Sequence, residues 1–178
     1  NDSAGITLKQ ISAPTTTEAG GTATFSIVLD SQPTADVTIG LTSSDTTEGS
    51  VAATSVTFTA ANWNAPQIIT VKGEDDLVQD GNQPYSVVTA AATSSDPNYA
   101  GIDPANYALT NTDNDSAGVT IVATNPVTTE AGTFATFTVV LNSEPTGDVT
   151  IGLSSSDTTE GTINVASEAG KGTEFKVF

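Results

Sequence analysis

The chain has 178 residues, 37% of them hydrophobic, and sets 21 acidic residues against four lysines with no Arg or His, for a net charge of −17. That balance repels a phosphate backbone and offers no basic or amphipathic segment to a membrane, which excludes nucleic-acid binding and direct membrane insertion. The absence of Cys and His excludes disulfides, thiolate or imidazole metal sites and a Ser-His-Asp triad.

Ile6-Thr7-Leu8 alternates apolar and polar residues, the pattern of a half-buried strand, and Pro14 with Thr15-Thr16-Thr17 breaks or bends it. Glu18-Ala19-Gly20-Gly21 reads as a turn whose glycines allow positive φ. The next strand puts Ala23, Phe25, Ile27 and Leu29 on one face and Thr22, Thr24 and Ser26 on the other, before a turn at Ser31-Gln32-Pro33-Thr34. Val37, Ile39 and Leu41 mark a strand that ends in Ser43-Ser44-Asp45-Thr46-Thr47-Glu48-Gly49. Val56 and Phe58 mark another, with Trp63 just beyond it. Residues 68–71 form a strand running into Gly73-Glu74-Asp75-Asp76. A turn rich in Asp80, Gly81, Asn82 and Pro84 then leads to a strand over 85–89. After a loop over 94–104, Tyr107-Ala108-Leu109-Thr110 closes the series. About seven short strands with turns between them, and no sustained helical period, predict an all-β fold: an antiparallel immunoglobulin-like β-sandwich.

The series then starts again. Asn1-Asp2-Ser3-Ala4-Gly5 returns as Asn114-Asp115-Ser116-Ala117-Gly118, and Glu130-Ala131-Gly132 answers Glu18-Ala19-Gly20. Residues 148–161 repeat residues 36–49 with one change, Ser154 in place of Thr42. Such repetition predicts an array of modules: a complete sandwich at 1–113, a truncated second copy at 114–167 and a divergent tail at 168–178. Because Asn1 falls inside a repeat boundary, a piece of a longer chain is expected. The truncated copy should be less stable than the first, or completed by a neighbouring chain. In the tail, Gly170-Lys171-Gly172-Thr173 and the alternation after it resemble the last glycine box and strand of histidine-kinase ATP-binding domains. The other boxes of those domains are missing, so no ATP binding is implied. The plainer alternative is that residues 174–178 supply a substitute strand.

The carboxylates of the first copy sit at turns: Glu18, Asp45, Glu48, Asp75, Asp76 and Asp80, with Asp113 and Asp115 at the exit. Singly, each reads as a turn or capping residue. As a set they read as ligands for a hard cation such as Ca2+, which takes six to eight oxygens from loops, because alternate loops of a sandwich emerge at one end.

Glu18-Ala19-Gly20-Gly21 before Thr24-Phe25-Ser26-Ile27-Val28 resembles the first block of Calx-beta domains. Val56-Thr57-Phe58, Ile69-Thr70-Val71 and Glu74-Asp75-Asp76 resemble the later block, and Asp113-Asn114-Asp115 the terminal acidic cluster. The likeness spans residues 1–113 and the surviving part of the second copy, and is closest to the Thr/Ser/Asp-rich arrays of large bacterial surface and secreted proteins. It implies a sandwich with Ca2+ at one end, held by Glu18, Asp45, Asp75, Asp76, Asp113 and Asp115. The chain departs from the family where Gln79, Asp80, Gly81 and Asn82 stand in place of the usual glutamates before an aromatic, leaving Asp80 as the charged stand-in. The second copy keeps Glu130 and Asp157 but has no counterpart of Asp75-Asp76, so a complete site is not expected there.

The leading expectation is therefore a calcium-binding structural or adhesion repeat of an extracellular or bacterial cell-surface protein, the ion stiffening the joint between repeats. Its expected partners are calcium ions, neighbouring repeats, and a cell-surface protein or glycan. The alternative is a Ca2+-dependent carbohydrate-binding module, with Trp63, Tyr85, Tyr99 and Tyr107 as stacking residues. An enzyme is not expected, since these carboxylates lie on turns of repeated modules rather than in a pocket.

Overall fold

A computed structural model describes residues 2–167 and 173–177, the latter five and residues 166–167 by their backbone alone. The chain divides into a first unit of Asn1–Asp76 with Asp80–Asn114 and a second of Leu77–Gln79 with Asp115–Phe178. The described residues are strands and loops throughout.

The first unit contains β1 (Ile6–Gln10), β2 (Thr15–Thr17), β3 (Thr22–Leu29), β4 (Val37–Ser43), β5 (Gly49–Val51), β6 (Ser55–Phe58), β7 (Gln67–Gly73), β8 (Gln83–Thr89), β9 (Thr93–Ser94) and β10 (Tyr107–Thr112). One sheet runs β1-β3-β7-β5; the other runs β2-β10-β8-β4-β6, with β9 against β4. The sequence suggested fewer strands. One reason lies at Pro14, which has no N–H to give to a ladder. The chain leaves the first sheet there and re-enters in the second as β2, parallel to β10, with Thr16 opposite Asn111. The other pairings are antiparallel.

Alternation along each strand sends every second side chain between the sheets. Phe25 and Ile27 of β3, Ile69 and Val71 of β7, and Val37, Ile39, Phe58 and Val87 of the facing sheet all join one buried cluster. Burying each such side chain contributes about 1.5–3 kcal/mol. This is an antiparallel-dominated β-sandwich, as the periodicity predicts.

The second unit builds one sheet from β11 (Val119–Asn125), β12 (Ala135–Leu141), β13 (Ile163–Ser167) and β14 (Thr173–Val177), in the order β11-β12-β14-β13. The tail strand β14 thus stands where β7 stands in the first unit. Phe175 pairs with Phe137 and Val177 with Ala135. In the first unit Ile69 pairs with Phe25 and Val71 with Ala23. The substitute strand expected over 174–178 therefore forms in the register of β7, with Phe178 outside the described residues. Gly170, Lys171 and Gly172 of the proposed glycine box also lie outside them.

What the second unit lacks, among the described residues, is a second sheet. Residues 148–153 repeat Asp36-Val37-Thr38-Ile39-Gly40-Leu41 yet form no strand. In the first unit β4 hydrogen-bonds to β6, β8 and β9; the second unit has no counterpart of those strands among its described residues. Val37 and Ile39 are 0% exposed, whereas Val149 is 52% and Ile151 38% exposed. Local structure survives this loss. Asp157 accepts from the Thr159 N–H at 2.9 Å and hydroxyl at 2.6 Å, as Asp45 does from Thr47 at 3.0 and 2.6 Å. Gly20 and Gly132 likewise hold the same left-handed turn, at φ 81° and 86°.

The identical segments make a controlled comparison. Ile39→Ala, which empties a packed site, should destabilise the first unit by about 2–5 kcal/mol. Ile151→Ala should change stability by less than about 0.5 kcal/mol. Denaturant unfolding of the two variants beside the parent chain checks this.

Candidate metal centre

Four chain segments of the first unit meet at the end of the sandwich where β10 finishes. Glu18, just after β2, donates its N–H to the Thr112 carbonyl at 3.1 Å. Glu74, just after β7, donates to the Glu48 carbonyl at 3.1 Å, and Gly73 to the Gly21 carbonyl at 2.9 Å. Gly49 and Gly73 face each other across the β5–β7 ladder. A Cβ on Gly49 would overlap the Tyr85 ring, and one on Gly73 would overlap the Thr17 carbonyl and the Asn111 side chain. Only a residue without a side chain lets these backbones approach so closely.

Beneath the loops lies a buried polar chain. The Thr16 hydroxyl donates to Asn111 Oδ1 at 2.9 Å and lies 2.9 Å from the Tyr85 hydroxyl. Asn111 Nδ2 donates to the Glu74 carbonyl at 3.0 Å and reaches the Glu48 carboxylate at 3.4 Å. Burial raises the Tyr85 hydroxyl above its ordinary pKa, against the pull of the Thr16 hydrogen bond.

Glu48 sits at the top of this chain, 8% exposed. One carboxylate oxygen each of Glu48, Asp76 and Asp80 lie within 4.8 Å of one another. Burial raises the Glu48 carboxyl above its usual range. The Asn111 hydrogen bond opposes this, while the charges of Asp80, Asp45 and Asp76 add to the rise. Asp96 supplies the contrast: buried as well, at 2% exposed, it accepts N–H bonds from Thr34 at 2.7 Å and Asn98 at 2.9 Å, which hold its carboxyl below the usual range. Asp96 is satisfied by donors. Glu48 is crowded by acceptors, the arrangement that favours a proton or a cation.

The other residues expected as ligands fall into distinct places. Glu18 is buried, and its carboxylate lies beside that of Asp75, with oxygens within 4.8 Å. Asn114 bridges the two, donating its N–H to Glu18 at 2.8 Å and its side-chain amide to Asp75 at 3.2 Å. Asp113 accepts from the Gly81 N–H at 2.7 Å and donates its own N–H to Asn82 Oδ1 at 3.2 Å, closing the exit of β10 onto the loop before β8. Asp45 is exposed, and one of its oxygens is engaged by Thr47, whose hydrogen bonds lower its pKa. Asp115 opens the second unit. Glu48 belongs to the set that the turn positions give but not to the ligands the resemblance implies.

The aromatic residues expected to stack on a sugar are occupied in the core. Tyr85 and Tyr99 are buried, Tyr107 stacks on Phe25 with centroids 4.2 Å apart, and Trp63 packs partly buried against the cluster.

No family model matches the chain, and no curated protein does. Among solved structures it is similar to WR4, a C. elegans MSP family member, with TM-score 0.36 and 12% identity over 63% of this chain and 98% of that one. It is similar also to domains 4–9 of the surface layer protein SbsC, with TM-score 0.33 and 14% identity over 99% of this chain, which spans 27% of that one. Domains 5–6 of the S-layer protein SbsC give TM-score 0.29 and 16% identity over 99% of this chain and 84% of that one. Likenesses this distant carry no functional argument. No helix in the described residues is long and apolar enough to cross a membrane.

The raised Glu48 carboxyl has a signed consequence. A group whose pKa is higher folded than unfolded adds stability below its unfolded value, here near 4.5. That stability is lost as pH rises through the folded value. In chelator, Glu48→Gln should therefore match the parent near pH 4.5 and be the more stable protein at neutral pH. Thermal melts of both proteins across that range test it, and parallel curves would remove Glu48 as the strained group.

Proposed function

We propose that the first unit is a calcium-binding module of the Calx-beta kind, serving as a structural or adhesive segment of an extracellular or cell-surface protein. The observation that carries this reading is the convergence of Glu48, Asp76 and Asp80 within 4.8 Å around a buried glutamate. The donor set is all oxygen, which suits a hard cation. Irregularly placed loop carboxylates suit Ca2+, which accepts variable geometry. Mg2+ demands a near-ideal octahedron and keeps several of its waters. A bound cation would neutralise three converging charges and tie Asp76 and Asp80 to Glu48. Asp113, hydrogen-bonded to Gly81 and Asn82, and Asn114, hydrogen-bonded to Glu18 and Asp75, would be fixed with them. The ion would thereby set the direction in which the chain leaves the module, which is the use a spacer or adhesin has for it.

Calcium at about 100 times its dissociation constant should add about 2.7 kcal/mol to the first unit, on the order of 10 °C in melting temperature. Asp76→Asn with Asp80→Asn should abolish the gain, and Asp157→Asn should leave it intact. Calorimetric titration and melts in calcium and in chelator measure this. Equal melting temperatures in the two conditions would end the reading.

A further inference from the structure

We propose that the peptide bond between Asp80 and Gly81 is a site of covalent modification, where the chain converts Asp80 to isoaspartate, and that two hydrogen bonds to this one peptide unit hold the reaction back. Asp80-Gly81 is the one Asp-Gly pair in the sequence; each other Asp or Asn precedes a residue that carries a side chain. The difference matters because the nitrogen that follows an aspartate can close a five-membered ring on the side-chain Cγ. A side chain beyond that nitrogen crowds the closure, and glycine leaves it open. The fold requires glycine here for a separate reason. Gly81 has φ 81°, a conformation that residues with side chains rarely adopt, in an exposed irregular loop between β7 and β8 with nothing within 4 Å of where a Cβ would stand.

The Gly81 nitrogen attacks Asp80 Cγ. As the N–Cγ bond forms, one Cγ–O bond breaks, and that oxygen leaves as water with the amide proton and one proton from solvent. A water molecule then adds to the carbon of the Asp80 backbone carbonyl, whose bond to the Gly81 nitrogen breaks. The nitrogen takes one proton of that water, and the new carboxyl on Asp80 Cα returns the other to solvent. The chain now runs on through Cγ, one methylene longer at unchanged mass and charge. Ring closure turns the peptide plane between Asp80 and Gly81 until its nitrogen faces Cγ. That plane moves as one piece, and both of its polar ends are tied down. The Gly81 N–H donates to Asp113 Oδ2 at 2.7 Å, and the Asp80 carbonyl accepts from Gln83 Nε2 at 3.0 Å. Asp113 follows β10 and Gln83 opens β8, so two neighbouring strands clamp one loop peptide. The clamp is made of this chain's own side chains and needs no cation.

The test holds the 178-residue chain and its variants in neutral buffer with chelator over weeks of warm incubation. Isoaspartate is counted by enzymatic methylation and located by peptide mass spectrometry, with thermal melts to establish that each protein stays folded. It is expected at residue 80, formed about ten-fold faster or more in Asp113→Ala with Gln83→Ala than in the parent chain. Gln83→Ala alone, which leaves the Asp113 bond in place, should fall between them, so the comparison survives if the double variant unfolds. Adding Asp80→Glu, whose ring would need a sixth member, should remove the signal. Absence of isoaspartate at residue 80 from the variants would overturn the proposal, and so would equal rates in the parent and the variants.

Discussion

Every strand in this protein depends on hydrogen bonds to a strand that lies elsewhere in the sequence, and the two units show what happens when those partners are present or missing. A backbone N–H or C=O removed from water must find a mate, and in a sheet the mate is the neighbouring strand. With β6 and β8 beside it, the segment from Val37 to Ser43 is a buried strand. The nearly identical segment at 149–155, without them, is irregular and largely exposed. Propensity, composition and alternation are the same in both, so strand formation is decided by tertiary context.

The acidic end of the first unit depends on the same pairing. β5 and β7 bring Gly49 and Gly73 face to face, and this carries Glu48, Asp76 and Asp80 together. Parallel pairing of β2 with β10 sets Thr16 beside Asn111, and Asn111 reaches both Glu48 and the Glu74 carbonyl. The loops are therefore mounted on a buried hydrogen-bonded scaffold as well as on each other. One glutamate is held under a cluster of like charges whose mutual repulsion the fold opposes.

Much of the first unit was legible in the sequence, because alternation at Ala23, Phe25, Ile27 and Leu29 or at Val37, Ile39 and Leu41 reports which side chains face inward. Turn chemistry was legible too: Asp45-Thr46-Thr47 and Glu18-Ala19-Gly20 form the same local structure in either copy. Pairing was not. Nothing in Thr15-Thr16-Thr17 says that it joins the opposite sheet from Ile6-Thr7-Leu8. Nothing in the divergent tail says that Phe175 will fall opposite Phe137 in the register of Ile69. At the candidate centre, the sequence placed the acidic residues on turns but could not sort them. Only the folded geometry separates Asp45, engaged in its own turn, from Glu48, buried among neighbours of like charge.

The parallel contact between β2 and β10 bears on how the first unit carries tension. β2 lies near the entry of the chain and β10 at its exit, and the two run in the same direction. Opposed pulls along the chain would slide one strand past the other, loading the backbone bonds between them and the Thr16–Asn111 bond together instead of one at a time. Strands of opposite direction joined at a hairpin would instead peel open in sequence. The contact that sets the acidic loops in place is therefore also the one across which tension along the chain would be shared.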